Sequence, residues 1–311
     1  MTDPASRVRT PLPELVEHVT REYSLGTAGE WSVLTTGYED CNIRIGRDPF
    51  GIVVKVFAHD RPRWVARRTA GLITRARAAG VRHPRLRPDS AGRLVHEYDR
   101  HQLIVMDAAP GRTFYDLGRP PRRPELAAIV EQAVLLHSVD ARPEPVPDPW
   151  AIANLVPLAG QVRDLLDDEQ RRLVDAAVSG LLRVDWESLP EALIHADLTA
   201  GNVLLEPDGA VTVLDFALAN RWPRLQEIAV IASSLLHGSG ESAPSRMTAV
   251  AEMYSSLAPL TGPEWEVLPV FGRGAAAMEL LGGLAQWQRG NRGAETESLI
   301  EIGTAGLRDY A

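Results

Sequence analysis

The chain has 311 residues, of which 45% are hydrophobic and 24% are charged, and its formal net charge is −8. These values are typical of a globular protein with room for one large domain or two modest ones. A single cysteine, Cys41, excludes an intrachain disulfide and a cysteine-based zinc site. No signal-peptide core and no apolar run of membrane-spanning length occurs, so we expect a cytoplasmic protein without a membrane partner.

The charge is distributed unevenly along the chain. Residues 1–106 carry a net charge of +5, and residues 107–311 carry −13. The first half suits the phosphates of a nucleotide and the second suits a cationic substrate, because a summed field concentrates ions of opposite sign. An acidic excess also keeps a protein soluble, and that simpler interpretation stays open. No basic stripe with interleaved aromatics occurs, which argues against nucleic acid as a partner.

The first predicted elements are a helix and three strands. Residues 13–23 have apolar side chains at helical spacing, which predicts a short amphipathic helix packed outside a sheet. Two strands are predicted within residues 31–45, and the β-branched run 51–57 is the third. This run contains Lys55, the one lysine among 33 basic residues. A strand lysine is usually an exposed edge residue, but its compact ammonium also suits a pair of phosphates.

Further along, a helix over residues 61–79 is followed by strands over 93–98 and 101–106. Pro110 and Gly111 then mark a turn within residues 107–113. From Arg123 onward the periodicity is mostly helical, with predicted helices over 152–166 and 169–182 and another apolar helix beginning near Leu225. Three further helices are predicted to close the chain.

Three oxygen-bearing side chains lie at informative spacing in residues 193–217. Asp197 and Asn202 precede a short apolar strand, and Asp215 follows the next one. The segment Glu206-Pro-Asp-Gly209 between the two strands favours a tight reversal, which predicts a hairpin that folds Asn202 back beside Asp215. An Asp, an Asn after four intervening residues, and an Asp-Phe pair after the next strand are typical of kinases.

The segment His195-Ala-Asp197-Leu-Thr-Ala-Gly-Asn202 resembles the signature of the aminoglycoside phosphotransferase and choline kinase superfamily, with Asp215-Phe216 as its metal-binding pair. The resemblance implies an α+β, bilobal, protein-kinase-like fold. Its N-terminal nucleotide-binding lobe, an antiparallel sheet plus a helix, would span residues 1–106. Its mostly helical catalytic and substrate-binding lobe would span 107–311. The resemblance also implies ATP as the phosphate donor, with GTP possible, and Mg²⁺ as the metal.

The same resemblance implies a role for each candidate side chain. One carboxylate orients the attacking hydroxyl, an amide and a second carboxylate hold Mg²⁺, and the strand lysine grips the α and β phosphates. A covering loop and the backbone of residues 107–109 contact the nucleotide. The expected site residues are the catalytic Asp197, the metal-binding Asn202 and Asp215, and the nucleotide-binding Lys55, Gly37, Asn42, Asp107 and Ala109.

The sequence departs from the family pattern in the helix after Lys55. The family places a Glu on this helix to pair with the strand lysine, yet no acid occurs between Arg61 and Gly80, and Thr69 stands at the expected position. Lys55 therefore needs another partner, such as Glu39 or Asp40, or the nucleotide is held more weakly. The departure also supports a rival hypothesis, a nucleotide-binding pseudokinase without turnover.

The acceptor is expected to be a small hydroxylated molecule, because the Ala-Pro-Glu anchor that protein kinases use for polypeptide substrates is missing. The acidic second half favours an aminoglycoside-like or other cationic antibiotic, which would make the protein a resistance kinase. The alternative within the same class is a metabolic kinase of the choline or homoserine type. The oligomeric state is not predicted.

Overall fold

The structure is a computed structural model that describes residues 5, 8–26, 29–34, 40–46 and 51–311. The chain forms two compact units, Met1–Arg112 with Leu204–Ala217 and Thr113–Val203 with Leu218–Ala311. The predicted lobes met after Met106, whereas here residues 204–217 belong with the first unit. One reason is a hydrogen bond from the Val213 N–H to the Arg82 carbonyl oxygen, 2.9 Å, which ties this segment to the first unit.

The first unit contains an antiparallel sheet, a short helix and a longer helix, as the sequence predicted for residues 13–23 and 61–79. The elements of this unit are α1 (Leu12–Glu22), β1 (Trp31–Leu34), β2 (Cys41–Ile45), β3 (Ile52–Val56), α2 (Trp64–Ala78), β4 (Leu86–Arg87), β5 (His96–Tyr98) and β6 (His101–Asp107). The strand order is β1-β2-β3-β6-β4, and β5 also pairs with β6.

Helix α1 covers one face of this sheet. Leu15, Val16 and Val19, the apolar positions of the predicted helix, are at most 2% exposed and pack against alternate residues of the strands. Burial of each such side chain stabilises the unit by about 1.5–3 kcal/mol. Because side chains alternate along a strand, the residues between these core positions lie on the opposite face. The strand residues under α1 are Cys41, Ile43, Ile45, Ile52, Val54, Val56, Leu103 and Val105.

The pairing of the two predicted hairpin strands is confirmed. Strands β9 (Val203–Leu205) and β10 (Val211–Val213) are neighbours in a small sheet of order β10-β9-β7, where β7 is Arg112–Thr113. Gly209 has φ +84°, which glycine adopts without steric cost, and this closes the turn. Gly111 permits a close approach, because a Cβ there would lie 2.7 Å from the Leu205 carbonyl oxygen.

The second unit is mostly helical, also as predicted. The elements of this unit are α3 (Phe114–Leu117), α4 (Arg123–His137), α5 (Leu155–Gln161), α6 (Asp168–Leu181), β8 (Glu191–Ile194), β11 (Asn220–Pro223), α7 (Leu225–Val230), α8 (Ala243–Leu257), α9 (Gly262–Gln288) and α10 (Ala294–Asp309). Strands β8 and β11 pair as a two-stranded antiparallel ribbon, with Leu193 opposite Arg221.

One predicted helix is shorter than expected. Residues 152–166 form α5 flanked by the 3-10 turns Ile152–Asn154 and Arg163–Leu165. Gly160 lowers the helix propensity of this segment, and Val162 leaves the helical region with φ −108° and ψ 13°. The helical periodicity of the sequence therefore overestimated the length of this helix.

Helix α9 is the central buried helix of the second unit. The expectation that no apolar run reaches membrane-spanning length is wrong for this helix, which by length and composition alone is apolar enough to cross a membrane. In the structure 72% of its most apolar stretch is buried inside the protein. Small residues let its neighbours approach closely: a Cβ at Gly282 would overlap the Trp150 ring. Its first turn has a capping box in which Thr261 and Glu264 satisfy each other's backbone N–H groups.

Glu264 also forms a buried ion pair that anchors the start of α9. Its carboxylate is 0% exposed and accepts hydrogen bonds from Arg224 Nε, 2.7 Å, and Nη2, 2.8 Å. Removing one partner of such a pair leaves an uncompensated buried charge. We predict that Glu264→Ala lowers the free energy of unfolding by about 3 kcal/mol, measured by urea denaturation. The control, Glu266→Ala, removes an exposed acid of the same helix. An equal loss in both variants would contradict the role of the pair.

Candidate active site

Lys55 lies on β3 in the middle of the sheet, on the face away from α1. It is 5% exposed, so burial alone would lower its pKa. Its Nζ donates to both carboxylate oxygens of Asp215, at 2.9 and 2.8 Å, and lies 3.2 Å from Asp40 Oδ2. These carboxylates more than offset the burial and raise the pKa of Lys55, which keeps the ammonium charged.

Asp40 supplies the partner that α2 lacks. It precedes β2 and is 3% exposed, and its Oδ1 accepts the Ala58 N–H at 3.1 Å. Arg61 Nε lies 3.4 Å from the same oxygen. Thr69, at the expected position of the helix acid, is buried, and its Oγ1 has no hydrogen-bond partner among the described residues. The second carboxylate beside Lys55 therefore comes from the segment before β2.

Asp215 follows β10 in a left-handed backbone conformation with φ 58°. Asp tolerates this region better than most residues, since its short polar side chain can bond locally. Here Oδ1 accepts the Ala217 N–H at 3.1 Å. The side chain is 33% exposed, which leaves its oxygens accessible to a ligand as well as to Lys55.

Asp197 and Asn202 form a second group, within the second unit. Asn202 Nδ2 donates to Asp197 Oδ2 at 2.6 Å and to the Asp197 carbonyl oxygen at 3.1 Å. With its amide nitrogen engaged in this way, Asn202 keeps its Oδ1 for another ligand. His195 is fully buried, and its Nδ1 accepts the Asp197 N–H at 3.3 Å, which supports the loop.

The loop that carries Asp197 is held by Glu227, a residue that the sequence analysis missed. Glu227 is 0% exposed, and its Oε2 accepts the backbone N–H groups of His195 and, at 3.3 Å, Ala196. Ala196 has φ 68°, a left-handed conformation that costs roughly 1 kcal/mol or more for a residue with a Cβ. The buried carboxylate therefore stabilises a strained turn next to Asp197.

The signal for Glu227 in the sequence is weak. Glu227 lies opposite the apolar stripe of α7, on the face where helical periodicity predicts side chains exposed to solvent. In the structure α7 is buried on all sides, so its one acid needs an internal partner.

The remaining predicted nucleotide-binding residues lie in different settings. Gly37 and the rival partner Glu39 are outside the described residues. Asn42 on β2 is directly opposite Lys55, so both side chains lie on the same face of the sheet. Asp107 ends β6, and its carboxylate is paired with Arg85 and Arg87 at 3.1 and 2.6 Å.

Two of the three backbone N–H groups of residues 107–109 already form hydrogen bonds within the first unit. The Asp107 N–H donates to the Arg85 carbonyl and the Ala108 N–H to the Gly51 carbonyl, each at 2.9 Å. The Ala109 N–H has no partner among the described residues and is available to a ligand. A pocket of about 330 Å³ borders this segment, but neither Lys55 nor Asp215 lines it. The pocket therefore does not locate the triphosphate.

The acids near the C-terminus differ in their availability. Glu264 is neutralised by Arg224, and Glu266, Glu297 and Glu301 are exposed. Glu279 on α9 is different, because burial raises its pKa to about 7 and a hydrogen bond with Ser233 opposes only part of this shift. Ser233 belongs to the π-helical segment Ile231–Leu235, a conformation that often occurs at functional sites.

Comparisons with known proteins agree with this geometry. A family model described as the phosphotransferase enzyme family matches residues 30–260. A homoserine kinase of Methylobacillus flagellatus is 26% identical over 273 residues, which cover 85% of this chain and 82% of that protein.

Two solved structures show the fold. A spectinomycin phosphotransferase, in complex with ADP and spectinomycin, has a TM-score of 0.69 at 10% identity and covers 96% of this chain and 97% of its own. A choline/ethanolamine kinase family protein from Mesorhizobium loti has a TM-score of 0.68 at 14% identity, with 96% and 94% covered. The predicted protein-kinase-like α+β fold is thereby confirmed.

The contacts of Glu227 predict a defect in turnover. In Glu227→Gln the amide accepts weaker hydrogen bonds than the carboxylate, so the Asp197 loop loses its fixed position. We expect kcat for phosphoryl transfer to fall by roughly 10- to 100-fold with little change in KM for the nucleotide. The control, Glu191→Gln, removes an exposed acid of β8. Equal kcat values for the two variants would refute a positioning role.

The raised pKa of Glu279 predicts a dependence of stability on pH. The folded chain holds this proton more tightly than the unfolded chain, so its contribution to stability is lost as pH rises from about 4.5 to about 7. Glu279→Gln removes this loss. Relative to the parent chain, the variant should gain up to about 3 kcal/mol between pH 4.5 and pH 8 in urea unfolding. Glu266→Gln is the exposed control, and a difference independent of pH would contradict the assignment.

Proposed function

Because the chain belongs to the phosphotransferase enzyme family, and is thus a small-molecule kinase, we propose that it transfers the γ-phosphate of ATP to the primary hydroxyl of a small amino alcohol or amino acid of the homoserine type. The observation that carries the choice of acceptor is the homoserine kinase relative, whose match extends over most of both chains.

The charges of the second unit support an acceptor with one ammonium group. Polycationic acceptors need several acids that are neither paired nor fully solvated. Among the acids near the C-terminus, Glu264 is already paired with Arg224, and Glu266, Glu297 and Glu301 are exposed. These acids are poorly placed to hold the several amines of an aminoglycoside, which favours an acceptor with a single amine.

Each site residue has a role in this reaction. Asp197 accepts a hydrogen bond from the acceptor hydroxyl and aims its oxygen at the γ-phosphorus, while Asn202 fixes the orientation of the Asp197 carboxylate through the bond to Oδ2. The acceptor hydroxyl needs to lose little of its proton before the transition state, because the transition state of phosphoryl transfer is loose. Lys55 stabilises the charge on the α and β phosphates, and its pairing with Asp40 keeps it in place.

A magnesium ion fits the oxygen donors of this chain. Asn202 Oδ1 and the partly exposed Asp215 carboxylate are hard ligands of the type that Mg²⁺ prefers. When bound, the ion would neutralise negative charge on the phosphates. Asn42 and the N–H of Ala109 would contact the nucleotide, in line with their positions on β2 and after β6.

The second candidate acceptor is a cationic antibiotic. It is favoured by the solved spectinomycin phosphotransferase, which has the same fold over nearly the whole chain, and by the net charge of −13 in residues 107–311. In this case the protein would be a resistance kinase. The pseudokinase alternative is weakened, because Asp40 provides Lys55 with the acidic partner that α2 lacks.

The test is a turnover screen with ATP and Mg²⁺ against L-homoserine, choline, ethanolamine, spectinomycin and aminoglycosides, with ADP release as the readout. We expect kcat/KM for homoserine to exceed that of every antibiotic. Asp197→Asn should lower kcat by roughly 10²- to 10⁴-fold, because the neutral amide oxygen is a weaker hydrogen-bond acceptor than the carboxylate and cannot take up the proton of the hydroxyl. Asp168→Asn, an exposed acid of the same unit, is the control and should be unchanged.

Each other outcome contradicts a defined part of the proposal. Preference for an antibiotic would replace the acceptor, and retention of full activity by Asp197→Asn would remove the role of that carboxylate. ATP binding without transfer to any acceptor in the panel would favour the pseudokinase.

A further inference from the structure

A cluster of potential metal ligands lies in the first unit, at the side of the sheet away from Lys55. It joins the end of α1, the turn after β4 and strand β5. One ligand atom from each of Glu22, Asp89 and His96 lies within 4.8 Å of the other two. None of these residues contributes to the kinase groups described above. Asp89 and His96 are 6% and 5% exposed, whereas Glu22 is half-buried, so two of the three candidate ligands are closed to water.

The orientation of His96 is fixed at both ring nitrogens. Its Nδ1 lies 3.1 Å from Asp89 Oδ2, on the side of the carboxylates. Its Nε2 lies 2.8 Å from His18 Nε2. A histidine that binds a metal usually donates its other ring N–H to a nearby acceptor, which fixes the tautomer. His18 is placed to accept that N–H, which would leave the Nδ1 lone pair directed at the carboxylates.

Glu22 faces the same point from α1. Its Oε1 accepts the Ser90 N–H at 3.0 Å and also the Ser90 hydroxyl, which holds the carboxylate against the turn. Its Oε2 has no hydrogen-bond partner among the described residues and can bind a cation. Glu22 lies four residues after His18, so both side chains project from one face of the helix.

A second observation points to a missing ligand beside the cluster. The hydroxyl of Tyr23 is buried and has no hydrogen-bond partner among the described residues. The Tyr23 ring packs edge-on against His96, with the ring centroids 6.2 Å apart. A buried hydroxyl without a partner requires an explanation, and a metal-bound water is one that satisfies it.

The hydrogen bonds that Asp89 already accepts do not prevent metal binding. Its oxygens accept hydrogen bonds from the Ala91 and Arg93 N–H groups and from the Arg93 side chain. The backbone bonds hold the carboxylate in position, whereas the Arg93 side chain is 61% exposed and can turn into solvent. Its departure would make Oδ2 accessible to a cation.

We propose that Glu22, Asp89 and His96 Nδ1 bind a divalent transition-metal ion of the Zn²⁺ class, with His18 and Tyr23 as its outer partners. One imidazole and two carboxylates, with a water in the fourth position, form a donor set that suits this class. On binding, His96 changes to the tautomer with hydrogen on Nε2 and donates that N–H to His18. The ion fastens α1 to β5 and stabilises the first unit, separately from the Mg²⁺ expected at Asp215.

The test uses the full chain after chelator treatment, with excess Mg²⁺ present to occupy oxygen-only sites. We expect one equivalent of Zn²⁺ to bind and to raise the Tm, and one equivalent of Co²⁺ to bind with visible d–d absorption. Glu22→Gln should weaken Zn²⁺ binding by roughly tenfold or more. His96→Gln should abolish it, and Tyr23→Phe should weaken it without loss of stoichiometry.

Two control variants decide the outcome. Glu17→Gln removes an exposed acid of α1, and His59→Gln removes an exposed histidine, so both should bind Zn²⁺ like the parent chain. If His96→Gln does not fold, as judged by circular dichroism, the Glu22→Gln titration decides. The proposal is overturned if the parent chain binds less than one equivalent, or if Glu22→Gln binds as tightly as Glu17→Gln.

Discussion

The buried ammonium of Lys55 between Asp40 and Asp215 is the interaction on which the first unit depends. A buried lysine without partners would lose its proton, because desolvation disfavours the charged form. The two carboxylates reverse that tendency and raise its pKa. The same contacts connect β3, the segment before β2 and the segment after β10, three parts of the chain far apart in sequence. With α1 covering the opposite face, the sheet presents this charged group on one side alone.

The second unit holds Asp197, the carboxylate that we propose to be catalytic, in a different way. Ala196, directly before Asp197, has a strained backbone. The buried carboxylate of Glu227 accepts its N–H group. Strain of this kind persists where surrounding contacts fix the backbone, and here a carboxylate accepts two consecutive N–H groups. Catalysis of phosphoryl transfer depends mainly on the positions of the reacting groups and on the stabilisation of their charge. A rigid loop at Asp197 therefore compensates for the free energy that the strained backbone costs.

The sequence predicted local features well and long-range partners poorly. The motif of Asp197, Asn202 and Asp215, the hairpin between them and helix α1 follow from spacing, turn residues and periodicity, which act over a few residues. Asp40 could be named only as one of two options, because the pairing depends on tertiary contacts that no local pattern encodes. Glu227 was missed because its helix is buried on all sides. The extent of α5 was overestimated because periodicity does not register the departure of Val162 from helical geometry.

The central claim is that Asp40 takes the place of the absent helix acid as the partner of Lys55. A double-mutant cycle on kcat/KM for ATP tests it most directly, with Lys55→Met, Asp40→Asn and the double variant, each checked for folding. If the two residues act as a pair, the double variant should lose less than the sum of the single losses, with a coupling free energy of about 1 kcal/mol or more. Losses that add to within about 0.3 kcal/mol would contradict the claim.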